Sequence, residues 1–402
     1  MKVLDITEFY SERGGGIRSH LTTRGHFLCQ GQHDHVLLAP GPRDEETPVC
    51  SNVTQGAKGS SRVVRFAGPT LPYDRTYHLL GRFDKIRERV RRERPDVLEA
   101  HSPYLAAAGA LACGRAASRL RTFFWHSDHV GTYVEPALEK LLGRRRARTG
   151  AAPLWRMTGT LLARFDATFA AGRAQAERLR AAGVRRVVLC PFGVDTRIFR
   201  PAMRSEEWRR TWATGAPPGA ALLVGVGRFA AEKHWELVLE AFRLVCARRP
   251  AVLVLYGDGP ERDRLRALAP PDVRFAGFET DRTRLAAALA SADLLVHGGP
   301  HETFGLGVAE AVASGLPVVV PDAGGAAESV DPRSGEVYRS LDPRACAAAI
   351  DRMLSRRPDE LRTLAEQAAS HVRTLEHHFA GVLDTYDELL EEKRARDWGI
   401  RC

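Results

Sequence analysis

Two carboxylates flank a small glycine-containing turn in the segment His297–Glu310. Glu302 and Glu310 have seven residues between them, two of which are glycines. The apolar run Ala292–Val296 predicts a buried strand before the turn, and Gly307–Ser314 predicts a helix after it. Backbone N–H groups at a helix start suit a phosphate, whereas carboxylates accept hydrogen bonds from sugar hydroxyls. The segment predicts either a nucleotide or sugar-phosphate site, or an ordinary helix start with acidic residues favoured by the dipole.

Two cations follow another predicted strand. Arg228 and Lys233 bracket the turn after the apolar run Ala221–Val226. A guanidinium fork and an ammonium point charge at such a turn suit a diphosphate, whereas the alternative is a solvated basic loop. Further glycine turns follow at Gly257–Pro260 and Asp322–Glu328. Since parallel α/β sheets bind ligands at the carboxyl ends of their strands, we expect all these turns at one edge of one sheet.

The first half of the chain has its own candidate ligand-binding turns. The consecutive glycines Gly14–Gly16 follow the first predicted strand and allow close backbone approach, although a flexible surface turn is the alternative. They do not form GxGxxG, so the pattern gives little support to a dinucleotide site. His126 follows the predicted strand Arg121–Trp125, and a polar contact with ligand is favoured over a metal site, because no third metal ligand stands at suitable spacing.

Short apolar runs alternate with helical patterns in both halves, which predicts two parallel α/β domains whose sheets face each other across a cleft. The segment Pro191–Pro201 has no sustained period and predicts the linker. In the first half we predict strands at Lys2–Ile6, His35–Ala39, Val63–Phe66, Val97–Ala100, Arg121–Trp125, Ala167–Ala171 and Arg186–Leu189, and helices at Ile17–Gln30, Leu80–Glu93, Tyr104–Leu120 and Ala174–Ala182. In the second half we predict strands at Ala221–Val226, Val252–Tyr256, Val273–Phe278, Ala292–Val296 and Pro317–Val320, and helices at Glu236–Arg248, Gly307–Ser314 and Gly381–Arg394.

Length and composition are those of a soluble globular protein with two cores: 402 residues, 44% apolar and 27% charged. No apolar run is long enough to cross a membrane, and the first residues predict a strand, not a signal peptide. The net charge of +10 indicates an arginine-rich composition or an anionic partner. No nucleic-acid motif accompanies the charge, so we expect no specific nucleic-acid binding.

The basic segment Arg144–Arg148 has two interpretations. It is either a solvated arginine cluster on a surface loop or helix edge, or a contact with an anionic membrane. The seven cysteines are scattered, with no CxxC pair. They predict thiols in a reducing cytosol, not disulfides or a zinc site.

Taken together, these motifs resemble the GT-B glycosyltransferases, specifically the large retaining family four. The resemblance covers nearly the whole chain, in the family's order, and the HSDH stretch at His126–His129 is most similar to the branch of lipid-directed mannosyl-, glucosyl- and sulfoquinovosyltransferases. Two departures are Phe192, where the family has a small polar residue, and the basic segment. The resemblance is carried by Gly15-Gly16, His126, Gly193–Asp195, Gly227-Arg228 with Glu232-Lys233, Gly257–Pro260, Glu302 with Glu310, and Gly324-Gly325 with Glu328.

This resemblance implies transfer of a hexose from a UDP- or GDP-sugar to a hydroxyl acceptor, a lipid or glycan intermediate, with retention of configuration. It implies no cofactor and no metal. Arg228 and Lys233 would bind the diphosphate, Glu310 the ribose and Glu302 the donor sugar, and His126 would approach that sugar. The expected catalytic residues are His126, Arg228, Lys233 and Glu302; the donor-binding residues are Gly15, Gly16, Arg228, Lys233, Gly257, Phe278, Glu302, Thr303, Phe304, Gly305, Leu306 and Glu310; the acceptor-binding residues are Glu8, His101 and Asp128.

The resemblance also implies a domain plan and a location. We expect an acceptor-side Rossmann-like domain at residues 1–192, a nucleotide-sugar domain at 193–378, and a final helix at 379–402 that returns to the first domain. We expect a cytoplasmic enzyme, with the anionic inner face of the cell membrane as a further candidate partner. The alternatives are a nucleotide-sugar epimerase or hydrolase of the same fold, or a transferase that acts on a soluble small molecule.

Overall fold

The computed structural model describes residues 1–10, 16–54, 57–71 and 74–397. They form two compact α/β units. The N-terminal unit comprises Met1–Val130, Val134–Cys190 and the chain from Glu376 onward. The C-terminal unit comprises Gly131–Tyr133 and Pro191–Leu375.

Strands and helices alternate through most of the chain. The strands are β1 (Lys2–Ile6), β2 (Asp34–Gly41), β3 (Glu45–Thr54), β4 (Ala57–Ala67), β5 (Thr70–Leu71), β6 (Asp74–His78), β7 (Val97–Ala100), β8 (Leu120–Trp125), β9 (Ala167–Ala170), β10 (Val187–Leu189), β11 (Ala221–Val226), β12 (Ala251–Tyr256), β13 (Val273–Gly277), β14 (Leu294–Val296), β15 (Val318–Pro321) and β16 (Gly335–Tyr338). The helices are α1 (Gly16–Gln30), α2 (Phe83–Glu93), α3 (Leu105–Ala112), α4 (Glu135–Leu142), α5 (Arg144–Leu162), α6 (Arg173–Ala181), α7 (Glu206–Ala213), α8 (Trp235–Cys246), α9 (Arg262–Leu268), α10 (Arg282–Ser291), α11 (Leu306–Ala313), α12 (Pro343–Leu354), α13 (Pro358–Ala369) and α14 (Leu375–Asp397).

The N-terminal unit is built on one eight-stranded sheet in the order β10-β9-β8-β7-β1-β2-β4-β3. Its strands pair in parallel, except that β3 runs antiparallel to β4 at the edge. The central strands β7 and β8 are buried at every position. Burial on both faces explains why these strands appear as continuous apolar runs in the sequence.

The C-terminal unit contains a six-stranded parallel sheet in the order β13-β12-β11-β14-β15-β16. The chain adds β12 and β13 on one side of β11, and then returns to add β14, β15 and β16 on the other. The strand order therefore reverses between β11 and β14. In open α/β sheets, ligands bind beyond the carboxyl ends of the strands at such a reversal.

The parallel elements agree closely with the prediction, and the errors have local causes. The predicted helix Tyr104–Leu120 instead ends at Ala112, because Gly114 has a φ of +77°, and a short 3₁₀ helix at Arg115–Ala117 then leads towards β8. Strands β3, β5, β6 and β16 were not predicted, since they are short or polar and lie at a sheet edge or in a separate hairpin. The basic segment Arg144–Arg148 belongs to the first turns of the long helix α5.

The prediction that all cysteines are thiols is wrong. Cys29, at the end of α1, forms a disulfide with Cys50 on β3, and their Cα atoms are 6.2 Å apart. The sequence separation of 21 residues gives no motif that would reveal the pair. The pairing follows from helix α1 packing against the edge strand β3, which the sequence patterns did not predict.

A buried guanidinium joins four elements of the N-terminal unit. Arg24 of α1 is 2% exposed, and its Nε lies 3.3 Å from Asp5 Oδ2 on β1. Its Nη1 donates to Glu99 Oε1 on β7 at 2.5 Å, and its Nη2 donates to the Tyr386 hydroxyl on α14 at 2.6 Å. Tyr386 in turn donates to Glu99 Oε2 at 2.7 Å. Since buried charges without partners are strongly destabilising, the four side chains depend on one another.

We predict that Tyr386→Phe destabilises the N-terminal unit by about 1.5–3 kcal/mol, because both Arg24 and Glu99 lose a charge-assisted hydrogen bond in a dry site. Urea unfolding followed by circular dichroism measures the change. Tyr10→Phe is the matched control. The Tyr10 hydroxyl lies 3.4 Å from the Thr22 hydroxyl, which is an uncharged partner. Equal stability of the Tyr386 variant and the wild type would contradict the structural role of the cluster.

Candidate functional site

The candidate donor site lies at the strand reversal of the C-terminal unit. β11 and β14 pair in parallel, with Leu223 opposite Leu294 and Val224 opposite Leu295. The chain leaving β11 carries Lys233, and the chain leaving β14 carries Glu302. These two residues are 69 positions apart in sequence, and the sheet topology brings them into contact.

Lys233 and Glu302 form an ion pair between Nζ and Oε1. The same carboxylate oxygen lies 3.3 Å from Nε2 of His297. Burial opposes ionisation of Glu302, but Lys233 and His297 outweigh that effect and hold the pKa of Glu302 well below its usual value. Glu302 is therefore an anion at neutral pH, able to accept hydrogen bonds from two hydroxyl groups.

Glu310 has a different environment. It lies on α11, its side chain is 5% exposed, and its Oε1 accepts from Arg282 Nη2 at 2.5 Å. Burial raises the pKa of Glu310, and Arg282 opposes that shift. Arg282 also lies over the Phe199 ring, 4.6 Å from its centroid. The sequence prediction missed Arg282, since it stands on a different helix and no local motif connects it with Glu310.

A tight backbone turn joins the two carboxylates. Gly305 has φ +82° and precedes the first residue of α11, and a Cβ atom there would lie 2.9 Å from Cα of Ala326. Gly325 donates its N–H to the Glu302 carbonyl at 2.7 Å, and a Cβ on Gly325 would lie 2.5 Å from Cα of Phe304. The two glycine turns therefore pack backbone against backbone. The expected donor-binding residues Thr303, Phe304, Gly305 and Leu306 all lie in this turn and at the start of α11.

The other expected donor-binding residues of this unit follow neighbouring strands. Arg228 follows β11 and is exposed, and its carbonyl accepts from the Trp235 indole at 2.9 Å. Gly257 follows β12, where a Cβ atom would lie 1.9 Å from the Gly227 carbonyl oxygen. Phe278 follows β13 and is 59% exposed. All three lie at the carboxyl edge of the sheet, as Lys233 does.

In the N-terminal unit, His126 follows β8 and is half-buried. Its Nε2 lies 2.8 Å from Nδ1 of His101, and its ring stacks on Phe124 with centroids 4.6 Å apart. Burial, together with His101 and Arg24, holds the pKa of His126 well below its ordinary value, so the ring is neutral at physiological pH. Gly16 begins α1 and is exposed, whereas Gly15 lies outside the described residues.

The three residues expected to bind the acceptor all have partners within the protein. Glu8 accepts from the Ser102 hydroxyl at 2.7 Å and from the Leu105 N–H at 2.9 Å, so it caps the start of α3, and burial raises its pKa. Asp128 is 2% exposed and pairs with Arg178 at 3.1 Å. His101 is 1% exposed. These contacts give each side chain a structural role.

Three buried side chains have the spacing of a metal site. Ligand atoms of Asp5, Glu99 and His101 lie within 4.8 Å of one another. Arg24 forms ion pairs with both carboxylates, however. Its guanidinium already contacts Asp5 Oδ2 and Glu99 Oε1, oxygens that a metal ion would need, so the donor set does not fit a metal site.

Comparisons with known proteins agree with this architecture. Residues 206–371 match the family model of group 1 glycosyl transferases, and residues 14–198 match that of glycosyltransferase family 4. A GDP-mannose-dependent α-(1-6)-phosphatidylinositol dimannoside mannosyltransferase of Mycobacterium tuberculosis is 30% identical, over 99% of both chains. A GDP-mannose-dependent α-mannosyltransferase of Mycolicibacterium smegmatis is 32% identical, over 89% of this chain and 90% of that one.

Among solved structures, sucrose-phosphate synthase from Thermosynechococcus elongatus superposes with a TM-score of 0.76 and 18% sequence identity. The match covers 98% of this chain and all of that chain. At this identity the comparison shows the fold alone. The chain therefore has the GT-B fold, in which two Rossmann-like α/β units follow each other.

We predict that Arg282→Met weakens binding of a nucleoside diphosphate sugar as pH falls. The Glu310 carboxylate must be ionised to accept hydrogen bonds, and removing the cation raises its pKa further, so binding is lost at a higher pH than in the wild type. Affinity below neutral pH should fall by about tenfold for each unit of added shift. Isothermal titration across a pH series measures it, with Arg284→Met as control, because Arg284 is paired with Asp281 and is 77% exposed. If affinity falls with decreasing pH in the same way in the Arg282 variant and the wild type, Arg282 does not lower the pKa of Glu310.

Proposed function

The chain belongs to the group 1 glycosyl transferases and is a hexosyltransferase, and we propose that it transfers mannose from GDP-mannose to a hydroxyl group of a glycolipid, with retention of configuration. The single observation that carries the proposal is the pairing of Lys233 with Glu302 at the strand reversal. The choice of donor is supported by the two mannosyltransferases that match nearly the whole chain.

In the proposed complex, Arg228 and Lys233 bind the diphosphate. Lys233 exchanges its bond with Glu302 for the phosphate, and Glu302 accepts hydrogen bonds from the donor-sugar hydroxyls. Glu310, paired with Arg282, accepts from the ribose hydroxyls. The start of α11 directs backbone N–H groups towards the phosphates. His126 is proposed to contact the donor sugar, as the family resemblance implies.

The proposed chemistry depends on charge that develops during the reaction. The departing diphosphate gains negative charge in the transition state, so fixed cations stabilise that state more than the ground state. We propose front-face attack, in which the departing phosphate accepts the proton of the acceptor hydroxyl, in preference to a covalent glycosyl-enzyme. No cofactor or metal takes part in this scheme. A sugar adduct trapped on Glu302 would contradict it.

The proposed lipid acceptor is supported by the surface of the N-terminal unit. Leu141 and Leu142, at the end of α4, are 80% and 47% exposed. Gly143 separates them from α5, whose Arg145 and Arg146 are also exposed. Exposed leucines beside arginines fit the interface of an anionic bilayer, where apolar side chains enter the acyl boundary and cations contact head groups. Within the described residues, no helix combines the length and apolar character needed to span a bilayer.

We predict that Lys233→Ala lowers kcat for mannosyl transfer by about ten- to a hundredfold, because a charge-assisted contact with the leaving group is lost. Transfer from radiolabelled GDP-mannose to a mycobacterial-type phosphatidylinositol mannoside extract measures the rate. Lys85→Ala is the matched control, since Lys85 also forms an ion pair, with Asp44, but lies on α2 of the other unit. Wild-type turnover in the Lys233 variant would overturn the assignment of the diphosphate site.

The same assay separates the alternatives. Release of free mannose or formation of an epimerised donor without an acceptor product would indicate a hydrolase or an epimerase. Transfer to a water-soluble acceptor with none to lipid would contradict the glycolipid proposal. Activity with UDP-glucose but not with GDP-mannose would contradict the proposed donor.

We predict that the double variant Arg145→Glu/Arg146→Glu lowers affinity for vesicles with anionic lipid by at least about tenfold, since each basic residue near such a surface contributes about 1 kcal/mol. Vesicle co-sedimentation at low salt measures it. Arg248→Glu/Arg249→Glu introduces the same charge change on the C-terminal unit, where both arginines lie beside Asp351. Equal loss in both double variants would show non-specific attraction, and no loss in either would remove the electrostatic basis of membrane binding.

A further inference from the structure

The buried cluster beside His126 contains more negative than positive charge. Asp5 and Glu99 are fully buried carboxylates, and the Arg24 guanidinium contacts both. Burial opposes ionisation of Asp5, but Arg24 and His101 outweigh it and hold the pKa of Asp5 well below its usual value. Two carboxylates thus share one guanidinium in a dry site. An uncompensated charge there is costly, so a further cation is expected among the contacting groups.

Two imidazoles contact these carboxylates. His35 Nε2 lies 3.0 Å from Asp5 Oδ2, and its Nδ1 lies 2.9 Å from the Ser61 hydroxyl. His101 Nε2 lies 3.3 Å from Asp5 Oδ1 and 3.7 Å from Glu99 Oε1, so it faces both anions. The position between two carboxylates is the more favourable one for a positive charge.

We infer that His101 is an imidazolium that balances this cluster and acts as a positioning residue, fixing the orientation and tautomer of His126. His101 Nε2 lies within ion-pair distance of two carboxylates, whose oxygens can only accept protons, so we assign a proton to Nε2. In the imidazolium Nδ1 carries one also, and it donates to His126 Nε2 across 2.8 Å. His126 Nε2 is then the acceptor, and the proton of the neutral His126 ring is on Nδ1.

The inference rests on the proposed contact between His126 and the donor sugar. Because His101 engages Nε2, a hydrogen bond from His126 to a sugar oxygen must use Nδ1, which donates. The charge on His101 strengthens its hydrogen bond to His126 Nε2, and that bond fixes the orientation of the His126 ring. Support of a ligating imidazole through its second nitrogen is a known way to fix its tautomer.

The other groups whose rings are described against His126 are not the source that we assign to this proton. From α1, the His20 ring lies 5.1 Å from that of His126, and burial holds the pKa of His20 well below its usual value. From α14, His378 lies next to His20, with centroids 5.3 Å apart. From β8, Phe124 stacks on the ring. Arg24 lowers the pKa of His126 from a distance, which keeps that ring neutral.

Nitrogen NMR of the ¹⁵N-histidine-labelled full chain tests the charge state without any activity. We expect the two His101 nitrogens to show imidazolium shifts at neutral pH, and the His126 nitrogens to show a neutral ring with the proton on Nδ1. The nitrogen signals of His101 and His126 are assigned as those that disappear in His101→Asn and in His126→Ala, respectively. A neutral His101, or a His126 protonated on Nε2, would overturn the inference.

Kinetics test the positioning role. His101→Asn should lower kcat/KM for transfer by about tenfold, whereas His35→Asn, which also removes an imidazole from Asp5, should leave it within about twofold. In a His126→Ala background, His101→Asn should cause no further loss, because its effect passes through His126. Equal losses in the two backgrounds would mean that His101 serves only the fold, and would contradict the inference.

The two arms keep this inference separate from the proposed function. If the protein transfers no mannose, the NMR experiment still decides whether His101 is charged and which His126 nitrogen is protonated. If it transfers mannose but the NMR spectra show a neutral His101, the proposed function stands and the positioning role fails.

Discussion

Parallel strands end at the same edge of a sheet, and this constraint decides where the charged side chains of each unit lie. In the C-terminal unit, Lys233 and Glu302 follow two adjacent strands, so residues 69 positions apart form an ion pair. In the N-terminal unit, the chain segments after β7 and β8 bring His101 and His126 within 2.8 Å. The chemistry of each site therefore follows from strand order, and the loops need only supply the correct side chains.

Ion pairs hold the buried carboxylates of both units. Lys233 and His297 keep Glu302 ionised. Burial raises the pKa of Glu310, and the ion pair with Arg282 opposes that shift. A carboxylate that is already ionised and oriented can accept sugar hydroxyls without reorganising its surroundings. The Arg24 cluster applies the same principle inside the N-terminal unit, where it connects α1 and α14 to the central strands.

Much of this architecture could be predicted from the sequence, because parallel strands buried on both faces appear as apolar runs. The bounds of β1, β7 and β11 agree with the predicted strands. The carboxylate turn could also be predicted, since Gly305 and Gly325 are required by close backbone approach. Contacts between elements that are distant in sequence could not be predicted. Arg282 reaches Glu310 from another helix, and Cys29 reaches Cys50 through an edge strand that is polar in sequence.

We propose that the C-terminal unit binds a GDP-sugar through Glu310 and the turn before α11. Thermal unfolding of the wild type and of Glu310→Ala, each with GDP-mannose and with UDP-glucose, tests it most directly, since a ligand that binds only the folded state raises the Tm. The account predicts that GDP-mannose raises the Tm of the wild type but not of the variant, and that UDP-glucose has little effect on either. A larger rise with UDP-glucose, or the same rise in both proteins, would contradict it.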